Sequence, residues 1–324
     1  SDLYDRNGRM VWQHRPDSAE KVDALSMLVL YTGTSYNLRL VNDTSMYLLV
    51  SAYKKGVPQY YKIRKFSLLD GKQQWEHLLE SNSDQYTHSL SMREVGGDLY
   101  VMGGYVPYNK YGNIDSKEMR GYYVRIISPT GELKNNRYHH WDMLSGDLPI
   151  SDDGKVDEKF RLYPQRFFVF DDGSVTVLAE KVRPYFHSDL LHLLVPIGTI
   201  ANLILRRPDT YGDFVLLNFT PELNLKNSQV LKKEKMQSWY SSDYLFSHYS
   251  NEDKGMVFYY TEEVKNPDTK KKELFLGIAS YDGESLNKER IPLYSPKKYS
   301  IAPFPAKKGF VMLNERNEKE EYNQ

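Results

Sequence analysis

Leu3-Tyr4-Asp5-Arg6-Asn7-Gly8-Arg9-Met10-Val11-Trp12 and Phe66-Ser67-Leu68-Leu69-Asp70-Gly71-Lys72-Gln73-Gln74-Trp75 are two copies of one phrase. In each, Asn-Gly or Asp-Gly is followed by a Trp four residues beyond the glycine. These dipeptides are the strongest short hairpin signals, because a type I′ turn needs positive φ at both central residues. Weaker copies stand at Ile127-Ser128-Pro129-Thr130-Gly131-Glu132-Leu133 and Ala279-Ser280-Tyr281-Asp282-Gly283-Glu284-Ser285-Leu286, and a degenerate one at Asn218-Phe219-Thr220-Pro221-Glu222-Leu223-Asn224. Gly8 to Gly71 is 63 residues, Gly71 to Gly131 is 60, Gly131 to Glu222 is 91 and Glu222 to Gly283 is 61. The one long interval holds an insertion of about 30 residues near 181–211, and without it the period is about 60 throughout.

Each period reads as four strands, rich in Val, Tyr, Phe and Leu where they are buried and polar at the outer edge. The clearest set is Arg161–Asp171, Ser174–Glu180, Asp213–Phe219 and Asn227–Glu234. Four-stranded units at a fixed period mean the blades of a β-propeller. The expectation is an all-β chain with five four-stranded blades, at about 30–80, 85–142, 160–236, 242–294, and 298–324 completed by 1–15, with a helical insertion at 186–208. Each end supplies half a blade, so residues 310–314 are expected to pair with residues 2–6. A larger ring with further blades is the other arrangement the ends allow.

The hairpin-glycine-tryptophan phrase resembles the blades of quinoprotein-like (pyrroloquinoline-quinone-type) propellers and, more loosely, those of WD-repeat proteins. It is also similar to uncharacterised propeller proteins of many bacterial genomes. The resemblance covers nearly the whole chain, but only two of five blades keep the Trp. It implies a fold and carries no site with it.

Composition agrees with a β-rich fold and narrows the chemistry. The 324 residues include 27 Tyr, and aromatics make up 14%, which favours strands over helix bundles. The 43 basic and 43 acidic side chains cancel, so no charge excess points to nucleic acid. With no cysteine there is no disulfide, thiolate metal site or cysteine nucleophile. The Ser1 start, read as a processed or truncated terminus, and the high Tyr, Asn and Lys content lead to an expectation of a bacterial extracytoplasmic protein.

In a propeller the first strand of each blade lines the central channel. The first strands carry mid-strand polar residues: Asn37 and Arg39, His88 and Ser89, Gln165 and Arg166, Ser247 and His248. Arginine forks suit carboxylate or phosphate, so these side chains are the candidates for a sugar or anionic ligand. The plainer reading is that they bond to channel water and to neighbouring blades. The second-to-third connections, Tyr105–Arg120, Lys181–Gly212 and Glu262–Lys272, are long, and place the binding face at their end. A glycosidase needs two carboxylates across the mouth. Asp84 and Asp243, just before two first strands, are the candidates, with turn capping as the simpler role.

Metal chemistry has little support. His139 and His140 are adjacent in an outer strand and point to opposite faces. Asp152, Asp153 and Asp157 form an acidic loop that could hold Ca²⁺ but lacks the spacing of a calcium-binding loop, and a solvated loop is the plainer reading. The insertion Ser188–Arg207 has a helical apolar stripe, Leu193, Leu194, Ile197, Ile200, Ala201 and Ile204, interrupted by Pro196 and Gly198. Such a stripe must cover something: its own blade, a second copy, a partner protein or a membrane interface. The sequence reading is therefore a non-enzymatic propeller that engages a protein or glycan on the face with the long connections. Its rivals are a channel-mouth enzyme acting on glycans and a docked subunit of a larger assembly.

Overall fold

Alternating apolar and polar residues separated by tight turns can satisfy their backbone groups locally, by folding back as antiparallel meanders. The computed structural model consists almost wholly of such meanders. It describes residues 2–4, 10–13, 33–54, 57–81, 85–107, 119–144, 150–151, 154–156, 160–183, 208–238, 245–249, 255–266, 270–293, 300–306, 310–316 and 322–323. The single helical element among the described residues is a 3-10 turn at Trp141–Leu144. The contacts divide the chain into two compact units, residues 1–140 and 141–324.

In the first unit, β1 (Asp2–Tyr4) and β2 (Met10–Gln13) pair antiparallel. Then come β3 (Gly33–Val41), β4 (Ser45–Lys54), β5 (Val57–Ser67) and β6 (Gln73–Ser81), hydrogen-bonded in that order. The next sheet repeats the pattern with β7 (Gln85–Val95), β8 (Asp98–Pro107), β9 (Gly121–Ile127) and β10 (Leu133–His140). Tyr47, Leu49, Ile63 and Trp75 of one sheet share a buried cluster with Leu99, Val101, Tyr123 and Ile127 of the other.

The second unit opens with β11 (Arg161–Val169), β12 (Val175–Arg183), β13 (Asp209–Phe219) and β14 (Leu225–Leu231), with β15 (Met236–Ser238) added on β13. It continues with β16 (Leu245–Tyr249), β17 (Met256–Lys265), β18 (Lys272–Tyr281) and β19 (Leu286–Pro292). A three-stranded sheet follows, of β20 (Ser300–Pro305), β21 (Val311–Arg316) and β22 (Tyr322–Asn323). Leu178, Phe214 and Leu216 pack against Phe258, Tyr260 and Tyr281 between the first two sheets. Tyr259, Leu276 and Leu293 pack with Ile301 and Val311 between the second and third. Fully burying each such side chain stabilises by about 1.5–3 kcal/mol.

The four meanders match the four strand sets expected from the 60-residue period. Three details bear on that reading. First, β1 pairs with β2, and Glu315 and Arg316 of β21 pair with Asn323 and Tyr322 of β22; the expected pairing of 310–314 with 2–6 includes residues 5–6, which lie outside the described residues. Second, Glu262–Lys272 is not a long connection. Glu262, Glu263, Val264 and Lys265 pair with Phe275, Leu274, Glu273 and Lys272, so the hairpin extends through residues that look loop-like by charge. Third, Leu223 and not Glu222 takes the glycine's place in the degenerate turn. Its φ is +64°, its N–H bonds the Thr220 carbonyl as that of Gly131 bonds Ser128, and its side chain is fully buried. A left-handed leucine costs about 1–2 kcal/mol, which that burial offsets.

Candidate functional site

Within each unit, first strands of successive sheets meet. Asn42, after β3, donates to Glu94 of β7 at 2.6 Å, and the Tyr47 hydroxyl donates to the same carboxylate. In the second unit Arg166 of β11 reaches β16: Nη2 donates to the Leu245 carbonyl at 3.1 Å and Nη1 to that of Gln165 at 2.8 Å. The guanidinium is thus a clamp between first strands.

Three of the four first strands carry a β-bulge where the candidate residues lie. In β3 the register jumps from Leu38 to Leu40, leaving Arg39 without an opposite residue. In β7 it jumps from His88 to Ser91, and in β11 from Pro164 to Arg166, leaving Gln165 as the extra residue. A bulge bends its strand and re-aims a side chain, and bulges are over-represented beside active sites. Asn37 and Arg39 are exposed, and Gln165 and Arg166 are half-buried. His88, Ser89, Ser247 and His248 stand in β7 and β16, with side chains outside the described residues.

A second concentration of charge lies between the first two sheets of the second unit, and the sequence reading did not single it out. Glu180 and Lys233 are both at 0% side-chain exposure and pair at 3.0 Å. The buried Glu262 carboxylate takes Arg290 Nε at 2.6 Å, Lys288 Nζ at 3.2 Å and the Glu234 N–H at 2.8 Å. Burial pushes Glu262 up, but the Glu234 N–H, Arg290 and Lys288 outweigh it and hold the carboxyl below its usual range. Lys288 is itself shifted down, by burial first and by the Arg290 and Lys233 charges against the pull of Glu262, so Arg290 is the principal partner. These strand carboxylates had no motif to announce them; a glutamate among strand hydrophobics was the only signal. Every charge here has a protein partner, which makes the cluster a structural joint between sheets.

His139 and His140 do face opposite ways. His139 is buried and stacks on Tyr122 with ring centroids 5.1 Å apart, while His140 Nδ1 shares a hydrogen bond with the Tyr105 hydroxyl. Burial, with the charges of Arg137 and His140, pulls His139 down to about 4. Among the described residues no three His, Cys, Asp or Glu groups gather as metal ligands. No helix among them is long and apolar enough to cross a membrane. Asp84 and Asp243 lie outside the described residues, as do Asp152, Asp153 and Asp157 and the stripe Leu193, Leu194, Ile197, Ile200, Ala201 and Ile204.

Repeated four-stranded meanders with bulged first strands define an all-β repeat protein. The chain belongs to a family of unknown function, DUF6770, whose model matches residues 2–322. No curated protein matches it. Among solved structures it is similar to a polysaccharide lyase of family PL25, an ulvan lyase, at 11% identity and a TM-score of 0.43, covering 86% of this chain and 61% of that one. A GH93 α-L-arabinofuranosidase of Fusarium graminearum gives 9% identity and a TM-score of 0.39 over 89% of this chain and 82% of that one. A GH43 β-1,3-galactosidase gives 9% and 0.33 over 92% and 95%. The chain thus spans about three-fifths of the ulvan lyase. All three TM-scores are below 0.5, and no activity passes to this chain from them.

Proposed function

We propose that the meanders are blades of a five-bladed β-propeller, and that the chain binds a glycan along its bulged first strands. The observation that carries the reading is the bulge at Arg39, repeated at Ser89-Leu90 and at Gln165. On these strands the bulge coincides with exposed or half-buried polar residues, Arg39 and Gln165, whose side chains a bulge can re-aim toward a ligand. An extracytoplasmic setting, where free glycans are met, is part of the proposal. Cleavage of the bound glycan is the second reading. Its candidate carboxylates are the two the sequence offers, Asp84 immediately before β7 and Asp243 two residues before β16.

The test is a panel of polysaccharides and oligosaccharides, read by thermal shift and by release of reducing ends or unsaturated products. At least one glycan is expected to raise the melting temperature, and Arg39→Ala to abolish the rise. Product formation lost in Asp84→Asn or Asp243→Asn, with binding retained, would add catalysis to binding. If no glycan binds, the proposal fails and the scaffold reading takes its place.

A further inference from the structure

Corresponding rows of side chains on the faces that meet the next sheet differ sharply between the two units. In the first unit the row is Tyr47, Lys65 and Trp75, cross-strand partners on β4, β5 and β6. Trp75 lies against the turn of the following sheet, where its Nε1 donates to the Pro129 carbonyl at 2.9 Å. In the second unit the same register places hold Thr176, Asn218 and Asn227. The match is supported by a shared irregularity. Phe66 pairs with Gln73 and Lys65 with Trp75 across a bulge, just as Phe219 pairs with Leu225 and Asn218 with Asn227. Where a tryptophan closes the first gap, the second is left as a cleft of about 270 Å³, bordered by Tyr281 and Gly283 of the next sheet's turn.

We propose that this cleft binds a single neutral pyranose ring. It lies at the tight-turn end of the sheets, so the site is separate from the glycan site proposed above. Its volume lies just below the range for small-molecule sites, about 300–1,000 Å³, which suits one ring and not a chain. The rings of Phe170 and Tyr281 line it and suit the C–H face of a sugar. The polar row is wired in one direction. The Thr176 hydroxyl donates to Asn218 Oδ1 at 2.7 Å, and Asn218 Nδ2 donates to Asn227 Oδ1 at 2.7 Å. That leaves acceptor capacity at the Thr176 oxygen, which lines the cleft and which a sugar hydroxyl can answer as donor. Asp172 and Lys226 both border the cleft, so its lining carries no net charge to favour an ionic ligand.

The probes are the methyl α- and β-pyranosides of glucose, galactose, mannose and N-acetylglucosamine, read by saturation-transfer NMR and titration. At least one is expected to bind the wild-type chain. Asn227→Trp, which restores the aromatic of the first unit, is expected to weaken that binding about tenfold or more, without lowering the melting temperature. If Asn227→Trp fails to fold, Thr176→Val carries the test through loss of the acceptor, with a weakening of at least about threefold expected. Binding by none of the probes overturns the proposal, as does binding unchanged by the substitution used. Binding lost in Arg39→Ala but kept in Asn227→Trp belongs to the first-strand site and also overturns it.

Discussion

Trp75 shows what the repeat phrase encodes. It is 8% exposed, and it meets Tyr47 at 5.9 Å between ring centroids. It also presses on Gly131, where an added Cβ would fall 2.8 Å from its Cγ. The glycine, at φ +90°, is thus required both by the turn and by the neighbouring indole. Trp75→Ala is expected to destabilise by about 3–5 kcal/mol, measured as a lower urea midpoint at unchanged slope; an unchanged midpoint would mean that the indole packs on nothing. Trp12 sits at the same distance after its glycine, in β2, but its side chain lies outside the described residues. His139 gives a second prediction at this scale. Its folded value near 4 lies below the ordinary 6.5, so its contribution is fully present above pH 6.5 and is lost as pH falls from 6.5 toward 4. The loss is on the order of 3 kcal/mol. His139→Phe keeps a ring on Tyr122 without the proton, so its stability should fall less over that window in acid titrations followed by urea unfolding. An identical slope in the two proteins would assign the acid loss to other groups.

Strands and turns were the most legible elements, because apolar alternation and turn glycines report local geometry. The boundaries failed where charge masked a strand. Glu262–Lys265 reads as loop, yet it pairs throughout, since Arg290 and Lys288 answer the Glu262 carboxylate from the neighbouring chain segment. Such partners lie far away in sequence and leave no local trace. The bulges were also hidden, because Arg39 and Gln165 look like ordinary strand residues until the partner strand is counted against them. The candidate positions themselves were readable as polar interruptions of inner strands. The joint between β12 and β17 yields a test. Lys233→Met strands the buried Glu180 charge and should cost about 3–5 kcal/mol, while Glu180→Leu together with Lys233→Met should recover most of it. Equal losses in the single and double variants would show that the two side chains do not act as a pair. For Glu262, whose folded value is depressed, stability is present above its ordinary value of 4.5 and falls away below it. Glu262→Gln should therefore shallow the acid limb.

At the scale of the whole chain, the 60-residue period was read correctly for four complete sheets because each is a self-contained meander. The apolar stripe of the insertion raises its own expectation. Leu194→Asp with Ile200→Asp should lower the melting temperature at unchanged oligomeric size if the stripe docks on its own chain. Unchanged melting with a shift in size or in liposome binding would assign the stripe to a partner or membrane surface. The function rests on the bulged first strands, and the most direct measurement is diffraction from crystals soaked with a glycan that raises the melting temperature. The account predicts ligand density within hydrogen-bond distance of Arg39 or Gln165. Density elsewhere, with both of these residues bonded only to water or protein, would contradict it.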